Sequence, residues 1–136
     1  MSDDLAATGD ADPLVTVLVL PQDLAAVSSA RRFVQRHCRA IGFDAEACDT
    51  AVLLTSETVT NAFIHGRSEA RIRVNAVPGR LLVEVADENS RHPQRAGHDD
   101  DALDGRGLAI VELLAARWGV VDDAYGKTVW FEVRAS

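Results

Sequence analysis

The spacing of apolar residues changes along the chain between the period of a strand and the period of a helix. The run LVTVLVL at 14–20 is rich in β-branched and aliphatic residues and ends at Pro21, so it predicts a strand. From about 24 to 41 apolar residues recur three and four positions apart, which predicts a helix. Asp23 is the expected N-cap of this helix and Gly42 its C-terminal stop.

A second helix and a hairpin follow. Asp44 and Gly66 frame a helix over roughly 45–65. Apolar and polar residues then alternate in EARIRVNAV at 69–77, and LLVEVAD at 81–87 follows after a tight Pro-Gly-Arg turn. These two segments predict a pair of antiparallel strands.

The last third of the chain begins with a long polar segment. Residues 88–104 have almost no apolar content, which in a compact domain is typical of a functional or disordered loop. The segment 105–119 opens with two glycines and then acquires helical spacing, and WGVVDD at 118–123 and KTVWFEVR at 127–134 predict a closing hairpin. The residues of the third helix expected to face the core are Ile110, Leu113 and Leu114.

The order of these elements indicates the fold class. Helices cluster in the first half and in the third segment, and most strands come late. We expect an α/β (α+β) two-layer sandwich, in which a mixed, mostly antiparallel sheet is covered on one face by three helices. Residues 13–136 would form this domain, and the acidic residues 1–12 are expected to be disordered.

Composition limits the classes of protein to which the chain can belong. Its 136 residues, 47% hydrophobic and 26% charged, suit one globular domain. A net charge of −7 does not fit the basic footprint of a nucleic-acid-binding protein, and the apolar runs are too short to span a membrane. The N-terminus lacks the features of a signal peptide, so we expect a cytoplasmic protein. Cys38 and Cys48 form no CxxC motif and are expected to be free thiols.

Three polar residues lie four positions apart on the second predicted helix. Glu57, Asn61 and His65 therefore form one stripe. A carboxylate can accept a proton, an amide oxygen suits a hard divalent cation, and an imidazole near the helix end could meet a phosphate. The alternative is a helix whose polar face is in water.

Further candidates lie near the long polar segment. Asp87 ends a predicted strand, where it could accept a hydrogen bond from an amino group, although aspartate is also an ordinary turn residue. Gly105 and Gly107 precede a helix whose first amides could bind an anion, with Arg106 between them; the alternative is a hinge. This motif is neither a Rossmann turn nor a P-loop. Thr128 enters the last strand and could hydrogen-bond a ligand next to Asp87.

Taken in order, these motifs resemble the GHKL ATPase superfamily. ETVTNAFIHG is similar to its N box, VADENS to its first glycine box and GRGLAIV to its second, and the likeness covers about residues 14–134. GRGLAIVELLAARWGV and GKTVWFEV look most like the small single-domain ATP-binding regulators of actinobacteria, relatives of the anti-sigma-factor serine/threonine kinases. The resemblance implies a Bergerat-type ATP-binding fold.

The resemblance also implies a role for each candidate residue. Asn61 would hold Mg²⁺, Glu57 would be the base that takes a proton from an attacking hydroxyl, and His65 would lie in the ATP site. Asp87 would accept the adenine amino group, with Thr128 nearby. Residues 88–104 would be a lid over ATP. The residues that would wrap the phosphates are Gly105, Arg106, Gly107 and Leu108.

Two functions remain open. The first is an anti-sigma-factor serine/threonine kinase that binds a sigma factor and phosphorylates a small antagonist protein of the STAS type on serine, with a homodimer possible from its relatives. The second is a non-catalytic module in which ATP sets the conformation that sequesters a partner. Glu57 favours the kinase. Asn89 and Arg91 stand where the first glycine box usually has glycines, which favours the module.

Overall fold

A computed structural model describes residues 14–65, 69–87, 108–123 and 126–135. The acidic N-terminus, Gly66, the expected lid and Gly105 to Gly107 lie outside these residues. In chain order the elements are β1 (Leu14–Leu20), α1 (Leu24–Ala40), α2 (Ala45–His65), β2 (Ala70–Val77), β3 (Arg80–Asp87), α3 (108–114), β4 (Arg117–Asp123) and β5 (Gly126–Arg134).

The strands form one five-stranded sheet in the order β1-β2-β3-β5-β4. All four pairings between the described strands are antiparallel. The expected two-layer α+β fold is confirmed, and the parallel pairing that the prediction allowed does not occur among these strands. Because side chains alternate along a strand, each strand gives every second residue to the core. In β5 these residues are Val129, Phe131 and Val133.

The end of α1 is set by Gly42. The helix ends at Ala40, one residue earlier than predicted, and Gly42 adopts a φ of 82°, which a residue without a Cβ reaches at no steric cost. The Gly42 amide donates to the Arg39 carbonyl oxygen at 3.0 Å, and the following amide, of Phe43, donates to the carbonyl oxygen of Cys38 at 3.0 Å. This Schellman motif turns the chain directly into α2.

Helix α2 lies across the three central strands of the sheet. Asp44 caps it, because its Oδ1 accepts the Ala47 amide at 2.9 Å. The helix packs against α1 on one side and against β2, β3 and β5 on the other. Leu54 and Val59 are fully buried at these contacts. No helix in the described part of the chain is long and apolar enough to cross a membrane.

Helix α3 differs from the sequence-based expectation. It ends at residue 114 and β4 begins at Arg117, because the segment after the helix pairs with β5. Val111 is fully buried and Leu108 and Ile110 pack against the core. Leu113 is 79% exposed and Leu114 43% exposed, so the prediction that both face the core was wrong.

The two cysteines are free thiols and both are buried. Cys38 on α1 interacts with Cys48 on α2 across the helix–helix contact. Burial, and secondarily the neighbouring Cys48, raises the pKa of the Cys38 thiol from 9.0 to about 12.

This raised pKa predicts that stability falls at alkaline pH. The unfolded chain loses the Cys38 proton above about pH 9 and the folded chain keeps it to about pH 12, so the free energy of unfolding falls as pH rises between these values. Denaturant unfolding of the wild type at about pH 8 and about pH 10 should show this loss. In Cys38→Ala the loss should be smaller by about 1 kcal/mol. If the free energy of unfolding falls equally in the wild type and in Cys38→Ala, the loss does not come from Cys38.

Candidate functional site

A narrow cleft opens between α2 and the ends of β3 and β5, on the face of the sheet that the helices cover. Its volume is about 10 Å³, roughly the space of one water molecule. Three of its side chains come from α2 and four from the two strands. They are Thr58, Asn61, Ala62, Val85, Asp87, Lys127 and Val129.

The helical wall of the cleft is built by helical spacing. Thr58, Asn61 and Ala62 are three and four positions apart and so share one face of α2. The Thr58 hydroxyl is 2.8 Å from the Leu54 carbonyl oxygen, to which it donates. Asn61 is half-buried, and its amide is the polar group that α2 brings to the cleft besides that hydroxyl.

The other two members of the predicted stripe are placed differently. Glu57 is half-buried one turn before Asn61, and it does not line the cleft formed by the described residues. His65 is the last residue of α2, and its side chain lies outside what the structure describes. The structure therefore brings Asn61 to the strand ends and leaves Glu57 beside it on the helix.

The strand side of the cleft ends in a buried carboxylate. Asp87 is the last residue of β3 and is only 7% exposed. It continues the row of Leu81, Val83 and Val85, so it points toward the helices rather than toward solvent. A carboxylate in this position is an acceptor held inside a mostly apolar wall, which suits a ligand that donates a hydrogen bond while burying an apolar body.

The expectation for Thr128 needs correction. In the β3–β5 register Thr128 lies opposite Ala86, and Lys127 lies opposite Asp87. Because side chains alternate, Thr128 shares the outer face of β5 with Trp130, whereas Lys127 and Val129 line the cleft. The residue next to Asp87 is therefore a cation rather than a hydroxyl.

Only one residue of the expected phosphate loop is described. Leu108 is half-buried, packs against the core and is the first described residue of α3. Gly105, Arg106 and Gly107 lie outside the described residues, so their role stays a prediction.

Two polar cleft residues were not singled out from the sequence. Thr58 could have been found, since it is three positions before Asn61 on a helix already identified. Lys127 could not, because its place depends on the register of β5 against β3, and the turn sequence before β5 does not fix that register.

The polar groups of the cleft suit a metal ion that is bound together with a nucleotide. Among the described residues, no group of three or more His, Cys, Asp or Glu is placed to hold a metal. Asn61 offers one neutral oxygen, and Mg²⁺ in nucleotide sites is held by one or two protein groups together with phosphate oxygens and water. The residues present fit Mg²⁺ bound through a nucleotide, and they do not fit a metal held by protein alone.

Comparison with known families agrees with this arrangement. Residues 20–133 match the model of the histidine kinase-like ATPase domain, a stretch that runs from the end of β1 to the end of β5. No curated protein matches the chain. The match confirms the expected GHKL-type ATPase domain, and the closer likeness to actinobacterial anti-sigma kinases stays a prediction. The chain belongs to the histidine kinase-like ATPase domain family.

Proposed function

We propose that this protein is an ATP-binding regulator and that adenine binds at the cleft between α2 and the β3–β5 strand ends, which must widen from its volume of about 10 Å³ to admit the purine. The observation that carries the proposal is the burial of Asp87 at the end of β3, across a cleft from Asn61. Asp87 would accept the 6-amino group of adenine, and Val85 and Val129 offer the apolar surface that a purine requires. Asn61 would contribute an oxygen ligand to Mg²⁺ carried by the phosphates.

The leading function is a serine/threonine kinase that binds a sigma factor and phosphorylates a small antagonist protein on serine. Glu57 supports this function because it lies one helical turn from Asn61, within reach of the same ligand. A serine hydroxyl is a weak nucleophile until a base accepts its proton, and Glu57 is the carboxylate available on this helix turn. The same proposal places the protein in the cytoplasm and is compatible with a homodimer.

A binding module is the second candidate. Lys127 lies opposite Asp87 in the register, so an ammonium group competes with adenine for the carboxylate. Asn89 and Arg91 stand at the glycine positions of the first glycine box. Both features favour weaker ATP binding, which suits a protein whose partner affinity responds to ATP without phosphate transfer.

We predict that Mg-ATP binds and stabilises the fold. At about a hundred times its dissociation constant it should add roughly 2.7 kcal/mol to the free energy of unfolding. Asn61→Ala should weaken binding mainly when Mg²⁺ is present, because the lost oxygen contacts the metal. Titration calorimetry with and without Mg²⁺ measures both effects.

The matched control for this test is Thr60→Ala, an exposed neighbour on the same helix. It should bind as the wild type does. If no binding heat appears at millimolar ATP with Mg²⁺, the ATP site is refuted. If Asn61→Ala binds Mg-ATP as tightly as the wild type, Asn61 is not the metal ligand.

We predict that Glu57→Ala impairs phosphate transfer and leaves ATP binding nearly intact. It removes neither Asn61 nor Asp87, so ATP affinity and the fold should stay nearly unchanged. Phosphate transfer to a cognate antagonist should fall about a hundredfold or more, the usual scale for a positioned base. The measurement is transfer of labelled phosphate, with partner binding followed in parallel.

Glu46→Ala, at an exposed position in the first turn of α2, is the control and should transfer as the wild type does. Transfer by Glu57→Ala at the wild-type rate would show that Glu57 is not the base. A wild type that binds partners and ATP but transfers no phosphate to any antagonist would establish the module instead.

A further inference from the structure

The face of the sheet turned away from the helices carries a groove of about 490 Å³. Its apolar surface comes from Leu82, Val121 and Trp130 on three neighbouring strands. Arg80 and Arg117 line its sides. The groove and the candidate ATP cleft use opposite faces of β3 and β5, so an occupant of one does not fill the other.

A buried carboxylate organises the charges of the groove. The Glu132 side chain is 6% exposed, and its Oε2 accepts from the Arg134 Nε at 2.6 Å. Its Oε1 lies 3.8 Å from the Arg117 Nη1. Both arginine side chains remain more than half exposed, at 56% and 64%. The single Glu132 carboxylate lies between the two guanidinium groups and fixes their positions. Two positive charges against one negative charge give this cluster a net positive charge that faces solvent.

The Trp130 ring, which is part of the apolar surface of the groove, also has a fixed position. A Cβ at Gly119 would come within 2.6 Å of the Trp130 indole nitrogen, so the ring lies directly on the β4 backbone. The Arg117 guanidinium carbon lies 5.9 Å from the centre of the same ring. The ring is thus held between backbone and guanidinium, and the groove does not need to rearrange to receive a ligand.

The charges that line the groove balance, with Arg80 and Arg117 against Glu84 and Glu132, and the positive excess comes from Arg73 and Arg134 at its border, in a chain whose net charge is −7. Arg80 lies directly opposite Arg134 in the strand register and makes no ion pair with the residues that the structure describes. Arg73 and Glu84, also on this face, lie 4.0 Å apart and offset each other. The groove and its border therefore hold four arginines against two glutamates. Such a surface complements an acidic segment and repels a second copy of itself.

The acidic N-terminus of the same chain can reach this groove. β1 begins at Leu14, and the register places Val15, Asn75, Leu82, Glu132 and Arg117 in one row across the sheet. The row spans four strand spacings, about 19 Å. The 13 residues before Leu14 can extend to about 43 Å, so they can cross the whole row.

We propose that residues 1–13 dock in this outer-face groove. The segment offers Asp3, Asp4, Asp10 and Asp12 to the arginines, and Leu5 to the apolar surface of the groove. Its tether raises its local concentration far above that of a free acidic partner. The groove is then a partner site that the chain itself occupies, and an acidic surface of another protein must displace the segment to bind there. The inference does not depend on ATP binding.

The test uses paramagnetic broadening in the full-length protein. A nitroxide on Thr8→Cys marks the N-terminal segment, and the buried Cys38 and Cys48 should escape labelling. At low salt the label should broaden the indole N–H of Trp130 and the amides of Gly119 and Val121. The loss of signal should reverse at about 1 M salt, where the Debye length is near 3 Å. Val15, next to the tether, is the positive control for the label.

Charge reversal completes the test. Arg80→Glu with Arg117→Glu should abolish the broadening at Trp130, whereas Arg39→Glu, the same change at an exposed site on α1, should not. Should the double variant fail to fold, replacing the four N-terminal aspartates by asparagine should give the same loss. Unbroadened groove signals in the wild type, or broadening that survives these changes, would overturn the proposal. The proposal would also be overturned if the nitroxide on one molecule broadened the groove signals of another molecule and not those of its own. The occupant of the groove would then be the N-terminal segment of a second copy.

Discussion

Alternation of side chains across the sheet is the constraint on which the rest of the structure depends. Each strand sends one residue toward the helices and the next toward the opposite face. On β3 this turns Asp87 inward and Glu84 outward, and on β5 it turns Val129 inward and Trp130 outward. A slip of one residue in the β3–β5 register would exchange these faces, so register decides which residues can meet a nucleotide and which can meet a protein.

The two faces then have different chemistry. The inner face is covered by α2, and the cleft left at the strand ends holds one buried carboxylate against an amide and apolar side chains. The outer face carries a groove in which Glu132 pairs with Arg117 and Arg134 beside Trp130. In this chain the candidate nucleotide cleft therefore lies on one face of the sheet and the charged groove on the other. Membership in the family establishes the ATPase domain, while the partners and the phosphate acceptor remain proposals.

The sequence predicted most of this architecture, because local patterns encode it. Alternation marked the strands, helical spacing marked α1 and α2, and Asp23, Asp44 and Gly42 marked their ends. Most of what it missed depends on long-range register. Lys127 rather than Thr128 lies opposite Asp87 because of the β3–β5 pairing. Leu113 is exposed because α3 turns Val111 to the core, and a residue two positions further along a helix lies on the opposite side. The outer groove joins residues from separate strands, and no single segment reveals it.

The central claim is that the Asp87 carboxylate recognises the amino group of adenine. Its most direct test compares the binding of ATP with that of purine riboside triphosphate, which lacks only this amino group, in the wild type and in Asp87→Asn. A hydrogen bond to a charged acceptor contributes about 1.5–3 kcal/mol, so the wild type should bind ATP roughly ten to a hundred times more tightly. Asp87→Asn should lose most of this preference. Equal affinity of the wild type for the two nucleotides would contradict the account.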